Sequence, residues 1–256
     1  MTEPAPLQDP DLTEDAFLGG RLRLLQPRAG YRAATDPVLL AAATAPAPGA
    51  RVLDAGCGVG AALLCLAARV PGLEAHGLEL QKPYADLARL NAARNGVDAT
   101  IWDGDIFHPP AALRQIGFDL VLTNPPYFDI TGAGSPDPGR DAARRVAEGR
   151  GAAAWTAAAF ARVRSGGRFA MIHLAASLPA ILSGLRGAGD IAVLPLQARV
   201  GKSAKRVIVT ACKGARAPFR LAPPLVLHAG SAHVADTDDF GPEADAVLRR
   251  GQALKF

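Results

Sequence analysis

Cysteine is scarce in this 256-residue chain, and its placement suggests no use for it. Cys57, Cys65 and Cys212 lack the close pairing that a zinc site or a disulfide framework needs, and the odd count fits a reducing compartment, the cytoplasm. No apolar run reaches the roughly 18 residues of a membrane span. The N-terminus carries Glu3, Asp9, Asp11, Glu14 and Asp15 rather than the basic start of a secretory signal. His76, His108, His173, His228 and His233 show no metal-ligand spacing, so no metal is expected. A Gly-x-Ser-x-Gly elbow is missing too. These gaps leave metal and serine-hydrolase chemistry without support.

Apolar residues make up 49% and charged residues 20%, enough to bury a full core and too apolar for disorder. A net charge of +4 tolerates an anionic partner without demanding one. The length suits one large α/β domain. Residues 1–16 read as a mobile tail and 17–256 as a single domain. Within it, 17–50 form an N-terminal cap segment and 212–256 a C-terminal extension.

Residues 21–26 alternate as a short strand. Asp36 reads as a helix N-cap with Pro37 at the first helical position. A repeating β-then-α pattern follows, with strands expected over 51–55, 73–80, 100–102, 118–123 and 168–174. Helices are expected over 61–69, 83–95, 152–163, 178–185 and 242–250. Strands alternating with helices predict a mostly parallel sheet covered on both faces, a Rossmann-like α/β fold. The last two strands, 191–196 and 206–211, are too close in sequence for a parallel crossover and should pair antiparallel.

Asp54, Gly56, Cys57, Gly58 and Gly60 lie where the first strand of this pattern meets its helix. Ligands of open α/β sheets bind at this position. Alternate glycines let the backbone come close to a ligand. Glu79 ends the next strand, where a carboxylate can accept two hydrogen bonds from a ribose diol. Gly56, Gly58 and Ala61 also satisfy the dinucleotide pattern G-x-G-x-x-A, so the glycines alone do not choose between cofactors. Asp54 does: a carboxylate there would face a pyrophosphate badly but suits the ammonium of a methionine moiety. Asp105, after the third strand of the pattern, is either an acceptor for an adenine amine or a plain turn aspartate.

Asn124-Pro125-Pro126-Tyr127 directly follows strand 118–123. The prolines fix the backbone and remove two N–H donors, leaving the Asn124 amide oxygen and the Pro125 carbonyl as a rigid pair of acceptors. Tyr127 offers a face for stacking. An exocyclic amine on a ring is a weak nucleophile, because its lone pair is delocalised. Two acceptors gripping its hydrogens shift the nitrogen toward sp3 and free that lone pair. With no cysteine near the prolines, methylation of carbon through a covalent adduct is disfavoured.

The pairing of this glycine loop with Asn124-Pro125-Pro126-Tyr127 resembles the class I amino-methyltransferases. A longer match covers Leu25-Gln26-Pro27-Arg28-Ala29-Gly30-Tyr31-Arg32, Asp36-Pro37-Val38-Leu39-Leu40-Ala41, Arg140-Asp141-Ala142-Ala143-Arg144 and Gly201-Lys202-Ser203-Ala204-Lys205-Arg206. This wider set resembles the bacterial tRNA1(Val) (adenine-37-N6)-methyltransferase family. The resemblance implies S-adenosyl-L-methionine as cofactor and a seven-stranded sheet with an antiparallel last strand. It also implies a substrate adenine beside the anticodon of a valine tRNA. It places Tyr31 and Asn124 in the cofactor pocket with Asp54, Gly56, Cys57, Gly58, Gly60, Glu79 and Asp105. Asn124, Pro125, Pro126 and Tyr127 are then catalytic. Arg140, Arg144, Arg145, Lys202, Lys205 and Arg206 are candidates for holding tRNA phosphates, or are ordinary solvated faces. The sequence after Arg144 departs from the family's pattern. Release-factor glutamine methyltransferases share the Asn-Pro-Pro-Tyr but carry a helical domain before the cofactor domain. The motifs also admit ribosomal-RNA and DNA amino-methyltransferases, and a non-catalytic RNA-binding scaffold. Monomer and homodimer both stay open.

Overall fold

A computed structural model describes residues 11–126, 151–230 and 239–256. Tyr127, Arg140, Arg144 and Arg145 lie outside the described residues. The chain opens with a hairpin of β1 (Leu12–Phe17) and β2 (Leu22–Pro27), followed by α1 (Thr35–Ala42). It continues with β3 (Arg51–Ala55), α2 (Ala61–Ala67), β4 (Glu74–Glu79), α3 (Lys82–Arg94), β5 (Ala99–Asp103), α4 (Ala111–Arg114) and β6 (Phe118–Thr123). Next come α5 (Gly151–Ala161), β7 (Val163–Leu174), α6 (Leu178–Gly184), β8 (Ala188–Gln197) and β9 (Arg206–Lys213). The stubs β10 (Arg220–Leu221) and β11 (Leu225–Val226) precede a last helix, α7 (Pro242–Arg250).

The main sheet runs β10-β8-β9-β7-β6-β3-β4-β5, with β11 also on β8. β3 to β7 are parallel, and β9 runs antiparallel to both neighbours. The expected seven-stranded sheet with an antiparallel last strand is present as β3 to β9. The two stubs raise the count to nine. This is the class I methyltransferase fold. Side chains alternate between two apolar layers. Val52, Leu120, Leu122, Ala170 and Ile172 face α1, α2, α3 and α7, while Leu53, Val121, Phe169 and Met171 face α5 and α6.

Two expectations change. Residues 12–16 belong to a strand rather than a tail. Ion pairs hold it: Asp15 with Arg32, and Glu14 with Arg23 and Arg94. Asp36 does not cap α1. It sits inside the first turn, which carries no side-chain cap, and its buried carboxylate pairs with Arg206 at the start of β9. A charge-assisted bond to a guanidinium outweighs a bond to one backbone N–H. α7 follows local rules throughout: Pro242 in its first turn, Glu243 and Asp245 near the N-terminus, Arg249 and Arg250 near the end, and Gly251 at φ 66° after it.

Candidate active site at the carboxyl edge of the sheet

Register brings the two motifs together. Asp54 pairs with Leu122 and Ala55 with Leu78 in the parallel ladder. Gly56 therefore emerges between Glu79 on one side and Asn124 on the other. The strand order reverses here, since β3 is followed along the chain by β4 on one flank and by β6 on the other.

The loop after β3 is held by its own backbone. The N–H groups of Gly56 and Cys57 both donate to the Leu78 carbonyl, at 2.8 and 3.0 Å, and Gly60 N–H donates to the Cys57 carbonyl at 2.8 Å. Gly56 has φ 75°, and a Cβ there would meet the Trp155 ring at 3.0 Å. Gly58 has φ 55° and lies under the Tyr31 ring. Cys57 serves by its backbone, while its thiol packs against Gly77 on β4 and burial pushes it well above the usual thiol range.

Two carboxylates are buried around this loop. Asp54 accepts from the Leu63 N–H at 3.2 Å, and burial raises it to about 7. Glu79 accepts from Gly58 N–H at 2.9 Å and from Gln81 N–H at 2.8 Å, and burial raises it as well. Tyr31, Pro37, Asp54, Gly56 and Asn124 enclose a chamber of about 20 Å3. That is room for a water-sized group such as an ammonium. A pair of buried carboxylates without a cation between them is costly, and a cationic ligand relieves the cost. These residues fit S-adenosyl-L-methionine, whose ammonium Asp54 would hold and whose ribose Glu79 would hold.

Asn124 Nδ2 donates to the Tyr31 hydroxyl at 3.2 Å, which leaves Oδ1 as the amide's outward acceptor. Tyr31 is placed in turn by Tyr84, whose hydroxyl accepts from Tyr31 N–H at 3.1 Å. Gln26 and Arg32 fix the same loop. Gln26 bonds both backbone groups of Ala33, and Arg32 reaches Thr13, Asp15 and the Pro27 carbonyl. Asp105 fills the turn role: Oδ1 accepts from Phe107 N–H at 3.0 Å and Oδ2 faces His108 at 3.4 Å.

The connector between β8 and β9 also lies at the carboxyl edge, with Lys202 and Lys205 exposed. Arg206 differs from them because its charge is matched by Asp36. Single-sequence reading missed Tyr84, Trp155 and His173. Trp155 Nε1 donates to Thr123 Oγ1, which donates to the Ala55 carbonyl, so the indole roofs Gly56. The buried His173 ring lies against the backbone of Pro126 and Leu174, and burial lowers it to about 4. Nothing local marks these residues, since each acts on a segment distant in sequence.

The family model described as methyltransferase small domain matches residues 34–134. A tRNA1(Val) (adenine(37)-N6)-methyltransferase of Porphyromonas gingivalis is 33% identical over 51% of this chain and 54% of its own. A release factor glutamine methyltransferase of Geobacter sulfurreducens is 38% identical over 31% of this chain and 27% of its own. Among solved structures, a predicted O-methyltransferase of Agrobacterium tumefaciens superposes with a TM-score of 0.68 at 26% identity, over 86% of this chain and 98% of that one. The chain spans about half the length, or less, of the curated relatives it matches. No described helix is long and apolar enough to cross a membrane, and no metal-binding group occurs among the described residues.

Proposed function

We propose that this protein is an S-adenosylmethionine-dependent N-methyltransferase whose acceptor is the N6 amine of an adenine, the one beside the anticodon of a valine tRNA. The observation that carries the reading is the seating of Asn124 against the glycine loop, with its nitrogen committed to Tyr31 and its oxygen left as an acceptor. The cofactor supplies a methyl group made electrophilic by its sulfonium. Asp54 and Glu79 hold it through opposite charge and hydrogen bonds. Asn124 Oδ1 and the Pro125 carbonyl grip the two amine hydrogens and aim the lone pair, so positioning and fixed dipoles do the work. The surplus proton leaves afterwards to water, and no strong base is required.

An amine has two hydrogens for these two acceptors, whereas a hydroxyl has one. The pair therefore suits nitrogen better than the oxygen named for the Agrobacterium relative. The name of the Porphyromonas relative supports adenine in tRNA, and Lys202 and Lys205 at the mouth suit an anionic substrate. A glutamine side-chain amide is the second reading, favoured by the match to the Geobacter relative.

The deciding experiment is mass mapping of methylated nucleosides in tRNA from cells with and without the gene. It is paired with purified enzyme offered both tRNA and a glutamine-containing release-factor peptide. Loss of one N6-methyladenosine next to the anticodon supports the reading. Methylation of the peptide and of no RNA overturns it.

A further inference from the structure

A second surface stands out at the far edge of the sheet. The loop at residues 214–217 is clamped onto the start of β8: Gly214 N–H donates to the Gly187 carbonyl, and Asp190 N–H donates to the Ala217 carbonyl at 3.0 Å. Asp190 takes a left-handed backbone (φ 48°), unusual for a residue other than glycine. Its carboxylate lies between two guanidiniums, Arg168 at 3.0 Å and Arg220 at 3.2 Å. Arg164 is paired with Asp119 beside them, and Arg216 is exposed on the same loop. Four cations thus stand over two carboxylates. Arg164, Arg168 and Arg220 line a groove of about 770 Å3. Flanking Arg220, Phe219 and Leu221 are 53% and 67% exposed.

We propose that this ledge is a second nucleic-acid contact, holding phosphates and one stacked base of the same RNA whose adenine enters the mouth. The inference rests on the RNA reading above. Each guanidinium keeps donors free beyond its ion pair, and the shared carboxylate preorganises two of them. An exposed phenyl between arginines suits a base, because every base has a face to stack and a backbone charge to match. A second copy of this chain fits badly. A two-fold interface centred on the ledge would bring its arginines together. Arg220 pairs with Ala192, which is level with Thr210, Ala170 and Leu122 across the sheet, while Arg168 is level with Leu120. The ledge is therefore four strand spacings, roughly 19 Å, across the sheet from β6, and it extends toward the amino edge, with Arg168 about 13 Å short of Asn124 along the strands. An RNA that reaches both wraps the outer edge of the sheet.

The test uses the full chain, a full-length unmodified tRNA transcript, and binding and turnover measured over a range of salt. Arg216→Gln with Arg220→Gln should flatten the salt dependence of binding by about 0.7–0.9 log units per lost phosphate contact. It should raise KM and leave kcat at saturation unchanged, as expected for binding shared by ground and transition states. Phe219→Ala should weaken binding roughly 5- to 100-fold without altering the salt slope. Wild-type affinity and slope in both variants would overturn the proposal. So would an equal loss of kcat and of cofactor affinity in the arginine variant, which would mark a folding effect. Displacement of tRNA by polyglutamate with Phe219→Ala silent would assign the ledge to an acidic protein instead. A wild-type protein that binds no RNA defeats the substrate reading and the ledge together. The ledge alone fails if wild type binds and methylates RNA while the variants are silent.

Discussion

Asn124 is useful only in one of its two amide orientations, and the two differ little in shape. On the proposed reading, an amide turned the wrong way would set its NH2 against the substrate's NH2, donor against donor. In the structure Nδ2 lies 3.2 Å from the Tyr31 hydroxyl, which holds the amide in the productive orientation when that hydroxyl accepts. Tyr31→Phe keeps the ring over Gly58 and removes the hydroxyl that meets Asn124. Turnover should fall by up to about tenfold, the worth of one hydrogen bond. Asn124→Ala should cost roughly a hundredfold or more, by analogy with loss of one preorganised polar group. If Tyr31 acts through Asn124, the double variant should be no slower than Asn124→Ala. Steady-state kinetics at saturating cofactor measures all three, and losses that multiply would show that Tyr31 works elsewhere.

Among the elements, the N-terminal hairpin is tied to α3 by a buried side chain, beside the Glu14–Arg94 ion pair and the Asn95 bonds to Arg23. Asn91 of α3 accepts from Leu25 N–H at 2.8 Å and donates to the Leu25 and Val59 carbonyls, each at 3.0 Å. It therefore ties α3 to both β2 and the glycine loop. Asn91→Ala leaves these backbone groups unsatisfied in a dry site, at a cost of about 2–4 kcal/mol. Denaturant unfolding checks this, and a change under about 0.5 kcal/mol would refute the staple. On the proposed reading, the β8–β9 hairpin has a task as well. The Ala175 N–H donates to the Lys205 carbonyl, which fixes the connector beside the end of β7. Neutralising Lys202 and Lys205 should flatten the salt dependence of tRNA binding, by up to about 0.7–0.9 log units per phosphate contact, and leave cofactor affinity as it was. An unchanged slope in titrations from low to high salt would remove this hairpin from the RNA footprint.

The whole molecule feels the buried acid. Burial holds Asp54 up to about 7 against an ordinary 3.8. Between these values the folded state keeps a proton that the unfolded state has released. Stability of the ligand-free protein therefore falls as pH rises from about 4 to 7, and the loss is complete above 7. At about 1.36 kcal/mol per pH unit the loss is on the order of 4 kcal/mol. Glu79, raised by the same burial, acts in the same direction. Asp54→Asn should raise the melting temperature at about pH 8, flatten its pH dependence, and weaken cofactor binding. On the proposed reading, the site gives up stability to hold a cation. A variant that melts like wild type across this range would show that Asp54 carries no such burden.

The central sheet was legible from residue order alone. The bounds of β3, β6 and α7 agree with those read from apolar runs, turn glycines and end charges, because these signals act within a few residues. The glycine loop and the Asn-Pro-Pro turn were legible for the same reason, as was the antiparallel β8–β9 pair, from its short connector. Folding settled what depends on partners far away in the chain. Residues 12–16, with Glu14 and Asp15, read as part of a tail, because the arginines that make them a strand lie at 23, 32 and 94. Asp36 looked like a cap until Arg206, 170 residues on, claimed its carboxylate. Tyr31 meets Asn124 across 93 residues, and Trp155 meets Thr123 across 32. Local pattern dictates which backbone each segment adopts. Which side chains then share a site follows from the parallel register, and that arises only when the strands assemble.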